Sequence, residues 1–220
     1  MKIFALPRRS VLLFRFIVFL PIIVLVANVQ PGVAQAITFD GKTTLAGKYL
    51  YVFEDVSNNY TIANISKVTD FSRSIDETPN FGNSENNIWV KFSITNKSNL
   101  TQLILELAHP FWDTVRLYRV NDSLMQPVEF SSRKNFRDRK YEHVNPAFDI
   151  NISEEETQDY ILHLRASDQA IVPLIIYSYS GFFDSVLFRE IIYGVLFGIM
   201  IAMMLYNLFI YFSVKEKAYI

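Results

Sequence analysis

The chain contains no cysteine among its 220 residues, which excludes disulfide staples, thiolate zinc sites and a cysteine nucleophile, and argues against a small stapled extracellular module. Histidine is nearly as scarce. His109, His143 and His163 stand 34 and 20 residues apart, and no H-E-x-x-H pair, G-x-S-x-G elbow or glycine-rich phosphate loop is present. A glycosidase needs only two suitably placed carboxylates, so the acidic residues leave that one chemistry open. Otherwise the sequence predicts no enzyme, no cofactor and no metal site. A large excess of positive charge is also missing. Residues 37–189 carry 15 Lys and Arg against 20 Asp and Glu, a net charge near −5, which disfavours a nucleic-acid partner. Internal repeats and low-complexity segments are absent too.

What the sequence does have is one long hydrophobic run. Residues 191–213, IIYGVLFGIMIAMMLYNLFIYFS, are 23 in number without a charge. A bilayer core of about 30 Å needs roughly 20 apolar residues in helical form, so this segment is expected to span. Lys215 and Lys217 follow it, whereas Arg189 is cancelled by Glu190 on the other side; the positive-inside bias puts its C-terminal end in the cytoplasm. Gly194, Gly198 and Ala202 recur every four residues and offer a face for close approach of another helix. Asn207 is the strong polar interruption. It either bonds an amide to a neighbouring helix, worth about 0.6 to 2 kcal/mol, or reaches headgroups near the cytoplasmic end. At the other terminus, Lys2, Arg8, Arg9 and Arg15 precede or flank an apolar stretch over residues 16–27, broken by Pro21, and Ala34-Gln35-Ala36 forms an A-x-A signal. A signal peptide cleaved after Ala36 is predicted, with an uncleaved signal anchor as the alternative. The expected domains are therefore a signal peptide at 1–36, an exported domain at 37–187, a membrane helix at 190–213 and a cytoplasmic start at 214–220.

The exported region is long enough to bury one core, and its dominant period is two. Ile88, Val90, Phe92 and Ile94 alternate with Trp89, Lys91, Ser93 and Thr95; a turn follows at residues 96–99. Leu103, Leu105 and Leu107 then alternate with Ile104 and Glu106, and Val115 and Leu117 with Arg116 and Tyr118. These three strands are expected to form a meander. Later strands are predicted at 160–165 and 171–179, the last apolar on both faces and hence central. The pattern predicts an all-β domain, a β-sandwich or jelly roll, followed by the membrane helix. N-x-S/T triplets begin at Asn59, Asn64, Asn96, Asn99, Asn121 and Asn151, as an asparagine-rich sequence produces by chance, and the domain is placed in a bacterial periplasm. Glu154, Glu155 and Glu156 read as a solvated turn, and His163 as a surface or interface histidine.

Binding residues are sought where aromatic rings stand beside polar groups, because a ring face stacks on the C–H side of a sugar while charged side chains fork onto hydroxyls. Trp89, Lys91, Arg116 and Tyr118 fall on the polar faces of their strands and line one concavity if those strands share a sheet. A covering layer would instead make Trp89 an ordinary core residue. Trp112 lies in a connection after His109-Pro110-Phe111, either as a binding residue or as a plug under the sandwich end. Arg133, Lys134, Arg137, Arg139 and Lys140 place five cations within eight residues. They suit carboxylates, phosphates or anionic headgroups, or form a solvated loop.

The succession NIWVKFSITNKS, LILELAHPFWDTVRLYRV, Arg133 ahead of a further strand, YILHLRAS and GVLFGIMIAMMLYNLFIYFSVKEKAY resembles the bacterial seven-transmembrane receptors with diverse intracellular signalling modules (7TMR-DISM). The likeness is to their second type of extracellular domain with the first membrane helix, and covers residues 47–220. It implies a jelly-roll sensor related to carbohydrate-binding modules, a carbohydrate or small-molecule ligand, six more membrane helices and a cytoplasmic output such as a histidine kinase or diguanylate cyclase. It also implies a ligand role for Arg133, which falls where such domains carry an arginine. The sequence holds one such helix, so it reads as a fragment, a truncated frame or a single-span relative. The competing reading is a single-pass, membrane-anchored glycan-binding or adhesion protein.

Overall fold

The computed structural model describes residues 35–65, 67–120 and 127–214. The basic and apolar parts of the predicted signal peptide, the Asn121 triplet, Lys215 and Lys217 lie outside the described residues. In chain order the elements are β1 (Ile37–Phe39), β2 (Thr44–Leu45), β3 (Tyr51–Asp55), α1 (Ile62–Ile65), β4 (Ser72–Arg73), β5 (Asn80–Asn83), β6 (Asn87–Asn96), β7 (Gln102–Leu107), β8 (Thr114–Arg119), β9 (Val128–Ser131), β10 (Ala147–Asn151), β11 (Thr157–Arg165), β12 (Gln169–Ile171), β13 (Leu174–Ser178) and α2 (Tyr179–Val214). One sheet has the order β4-β3-β6-β11-β8-β9, with β1 pairing in parallel on β6. The second has the order β10-β7-β13-β2, and β12 pairs with β5.

The two large sheets share a core, which makes the domain a β-sandwich. Ile88, Val90, Phe92 and Ile94 of β6 and Leu162 and Leu164 of β11 meet Leu103, Leu105 and Leu107 of β7 and Leu174 and Ile176 of β13. The alternation along β6 and β7 thus reports the inward faces correctly. The meander does not form: β7 belongs to the second sheet, and β11 lies between β6 and β8. Crossing between sheets lets the leucine face of β7 close over the apolar face of β6. Side-by-side pairing would leave both faces in water, and burial at roughly 25 cal/mol per Å² decides between the two. The turn after β6 is held by Asn96, fully buried, whose Nδ2 donates to the carbonyls of Leu100 and Ile152 at 2.8 and 2.9 Å. That asparagine has no amide free for a glycan.

Three further expectations change. The predicted strand at 171–179 is β12 and β13, separated by Val172-Pro173, and β13 is central in its sheet, between β7 and β2. Helix α2 starts at Tyr179, well before the hydrophobic run. At 36 residues it is about 54 Å long, and it is the one helix among the described residues long and apolar enough to cross a bilayer. Its first three turns are spent on the sandwich: Phe182 is buried against Ile104 and Tyr177, with Val186, Tyr141 and Ile175 around them. His163, expected as a surface or interface histidine, is half-buried. It stacks on Trp89 with ring centroids 4.4 Å apart, and its Nε2 lies 3.0 Å from Asn87 Oδ1.

Candidate ligand groove and its link to the membrane helix

The strand registers put Trp89, His163 and Arg116 in one row across β6, β11 and β8, and Lys91, Ile161 and Tyr118 in the next. Trp89, Lys91, Arg116 and Tyr118 therefore share one face of one sheet. That face is roofed by residues 60–65 and 67–71: Tyr60, Ile62, Ile65, Val68 and Phe71 pack with Phe53 over Trp89 and Tyr118, both buried. Lys91 turns beneath the roof, donating to the Ile65 carbonyl at 3.2 Å and lying 3.8 Å from the Phe71 ring centre. Burial lowers its pKa. Arg116 pairs across strands with Glu129 at 2.8 Å. A ligand meets Trp89 and Tyr118 only if the roof lifts, while Lys91 is half-buried.

Trp112 is fully buried in the main core. It also walls an open cavity of about 280 Å³ with Phe111, Asp113, Ser132 and Asp168. The five cations separate. Arg133, Lys134 and Arg137 are exposed, while Arg139 stacks over Phe130 and Phe136 at 4.7 and 5.3 Å and donates to the His143 carbonyl at 3.1 Å. Lys140 pairs with Asp149.

Lys134, Arg139 and Lys140 line one open concavity. Between β9 and β10, where the two sheets present neighbouring edges, a cavity of about 250 Å³ is lined by Phe130, Lys134, Arg139, Tyr141 and Phe148, among others. A second, of about 400 Å³, is lined by Gln102, Asn151 and Tyr179. Lys140, Tyr141 and Asp149 wall both, so the two flank a bridge in which Lys140 and the Tyr141 hydroxyl both meet Asp149. Burial, and then the neighbouring Tyr179, raise the Tyr141 pKa, which keeps its hydroxyl a donor. Rings, cations and carboxylates around an open groove suit a polar ligand with an apolar side.

Tyr141 connects this groove to the membrane helix. Its ring lies 5.4 Å from Phe182 and 6.1 Å from Phe183. One step further, Glu106 of β7 is fully buried and accepts hydrogen bonds from His143 Nε2 at 2.9 Å and Asn145 Nδ2 at 2.6 Å. The Arg189 guanidinium of α2 is 3.6 Å away. Burial pushes the Glu106 pKa up, but the two hydrogen bonds and the charges of His143 and Arg189 outweigh it, and the net shift is downward. A buried carboxylate thus ties strand, loop and helix together. Sequence reasoning missed Glu106, Tyr141, Asp149 and Phe182. The available signal was Glu106 itself, a lone charge in LILELAHP, where a strand apolar on both faces leaves an acid no solvent.

A β-sandwich continued by a helix long and apolar enough to cross a bilayer defines the class: a domain joined to a membrane anchor. The family comparisons identify it further. Residues 47–178 match the family described as 7TMR-DISM extracellular 2, and residues 189–220 match that described as 7TM diverse intracellular signalling. The first match alone spans more than half of the chain, and the chain belongs to the 7TMR-DISM receptors. Its N-terminal domain is extracellular or periplasmic. The comparison with curated proteins found no match.

Proposed function

We propose that residues 37–187, freed of a signal peptide at 1–36, are the periplasmic input domain of a bacterial inner-membrane receptor, with a jelly-roll connectivity like that of carbohydrate-binding modules. The groove between β9 and β10 takes a carbohydrate or a related small polar molecule, and the chain has no catalysis of its own. Further membrane helices and a cytoplasmic signalling module complete the receptor. Gly194, Gly198, Ala202 and Asn207 face those helices; nothing lies within 4 Å of a Cβ built on either glycine, which leaves the approach open.

The observation that carries this reading is the position of Tyr141, which walls both halves of the groove and packs on Phe182 of α2. A ligand gripping Lys140, Tyr141 and Asp149 therefore acts on the residues that seat the membrane helix. Arg133 and Trp112 lie outside the groove wall. The test is calorimetric titration of the full chain in lipid nanodiscs with a panel of neutral, acidic and amino sugars. At least one sugar is expected to bind, and Lys140→Ala or Asp149→Asn to weaken it tenfold or more without unfolding the domain. Retained affinity in both variants would move the site elsewhere.

A further inference from the structure

Helix α2 runs alongside β7 in the same direction, because Phe182 packs on Ile104 and Arg189 reaches Glu106. It therefore leaves the sandwich past Leu107, and the uncharged run begins at Ile191, about 3 Å of helix beyond Arg189. The loops at that end are tied to one another. Leu107 and Ala108 donate to the carbonyls of Pro146 and Pro173 at 2.9 Å each, and Ser132 to that of Asp113 at 3.1 Å. The uncharged run therefore begins beside these loops.

Their surface carries large exposed apolar side chains beside the polar Ser132, Ser167 and Asp168. Phe111 is 63% exposed and Val144 54%, beside Leu187 at 60% and Phe188 at 67% on the helix. Next to Ser132 in the same rim, Arg133, Lys134 and Arg137 are exposed and form no ion pair among the described residues. Apolar tips flanked by unpaired cations match the layered chemistry of a membrane interface, acyl boundary below and phosphate above. From this geometry we infer that the 108–113 and 143–146 loops dip into the outer interface of the bilayer, with Phe111 and Val144 in the acyl boundary and Arg133 and Arg137 on lipid phosphates. The occupant of this surface is lipid. The sandwich then rests on the membrane instead of standing above it on α2.

The absence of cysteine makes the test clean, since each introduced cysteine carries the only label. Phe111→Cys, Val144→Cys and, as a control at the opposite end, Leu100→Cys are spin-labelled in the full chain, in nanodiscs of phosphatidylethanolamine and phosphatidylglycerol. Collisions with dissolved oxygen are compared with those of an aqueous nickel chelate. The oxygen-to-nickel ratio is expected to be several-fold higher at 111 and 144 than at 100. Equal, nickel-dominated ratios at all three sites would leave this end in water and overturn the inference. Labels at 111 and 144 shielded from both reagents would assign the surface to protein and overturn it as well. Adding Arg133→Gln and Arg137→Gln is expected to lower the ratio at 144; an unchanged ratio overturns the role given to the cations.

Discussion

Removing the charge of Glu106 is expected to release the start of the membrane helix from the sheet. Glu106→Gln keeps the volume, but turns two charge-assisted hydrogen bonds, from His143 and Asn145, into neutral ones, and each such downgrade costs about 1 kcal/mol. It also leaves Arg189 facing a neutral amide at 3.6 Å. Removing one partner of a fully buried pair costs about 3 to 5 kcal/mol. The Arg189 side chain is 30% exposed, so water recovers much of that and roughly 0.5 kcal/mol remains. The total is about 2.5 kcal/mol, or roughly sixtyfold in an opening equilibrium. Hydrogen exchange by mass spectrometry on the full chain in nanodiscs reads this directly. Amides of residues 179–189 and 143–147 should exchange roughly sixtyfold faster, while those of β6 and β11 change far less. Uniform acceleration across both sheets would show that Glu106 supports the core and does not seat the helix, and unchanged exchange everywhere would refute the energetic reasoning.

Burial, reinforced by Arg116 and Arg165, lowers the His163 pKa to about 4 from the usual 6.5. The unfolded chain therefore takes the proton first as pH falls; stability is full above about 6.5, and up to about 3 kcal/mol is lost by pH 4. Denaturant melts across that range should show the loss, and His163→Gln should flatten it. The lowered Glu106 pKa gives a separate loss, as pH falls through and below the ordinary carboxylate range; Glu106→Gln should abolish that one alone. Gly47→Ala should prevent normal folding, because an added Cβ would sit 1.9 Å from the Glu77 carbonyl oxygen and 2.8 Å from that of Asp76. The cost exceeds about 3 kcal/mol, and near-wild-type melting would contradict it. Tyr141→Phe removes the hydroxyl that meets Asp149 and keeps the ring against Phe182; a loss of about 1 kcal/mol in thermal stability is expected, with exchange at residues 179–189 nearly unchanged.

Much of the sandwich was legible because its strands are half-buried and a two-residue period survives in the side chains of β6, β7, β8 and β11. What that period cannot carry is which sheet a strand joins. Leu103, Leu105 and Leu107 satisfy the same alternation beside β6 or opposite it, and long-range closure decides. The aromatic pattern misled for a related reason. Trp89 alternates away from the main core, but Ile65, Val68 and Phe71, which roof it, lie in a stretch with no period of its own. The family was readable from the order of its pieces. The groove was not, since it is made by β9 and β10 meeting across two sheets, with cations whose roles separate only in space: Lys140 paired to Asp149, Arg139 stacked on Phe130, Arg133 free at the rim.

How binding in that groove would move a helix is constrained by free energy. A ligand shifts an equilibrium only by its difference in affinity for the two states, and full reversal of a 1:99 population needs about 5.5 kcal/mol. The charge of Glu106 contributes about 2.5 kcal/mol to its tie with His143, Asn145 and Arg189. Weakening it alone moves such a population to roughly 40%. The rest would come from the ring contacts of Phe182 and Phe183 with Tyr141 and from Tyr179 in the groove wall, the places where groove and helix meet. Groove and buried carboxylate are joined through residues 141–145, a single short segment with Tyr141 at one end and His143 and Asn145 at the other. A ligand that takes Asp149 from Tyr141 would free one end of this segment while His143 and Asn145 hold the other on Glu106, so groove and helix seat would be loaded through the same five residues.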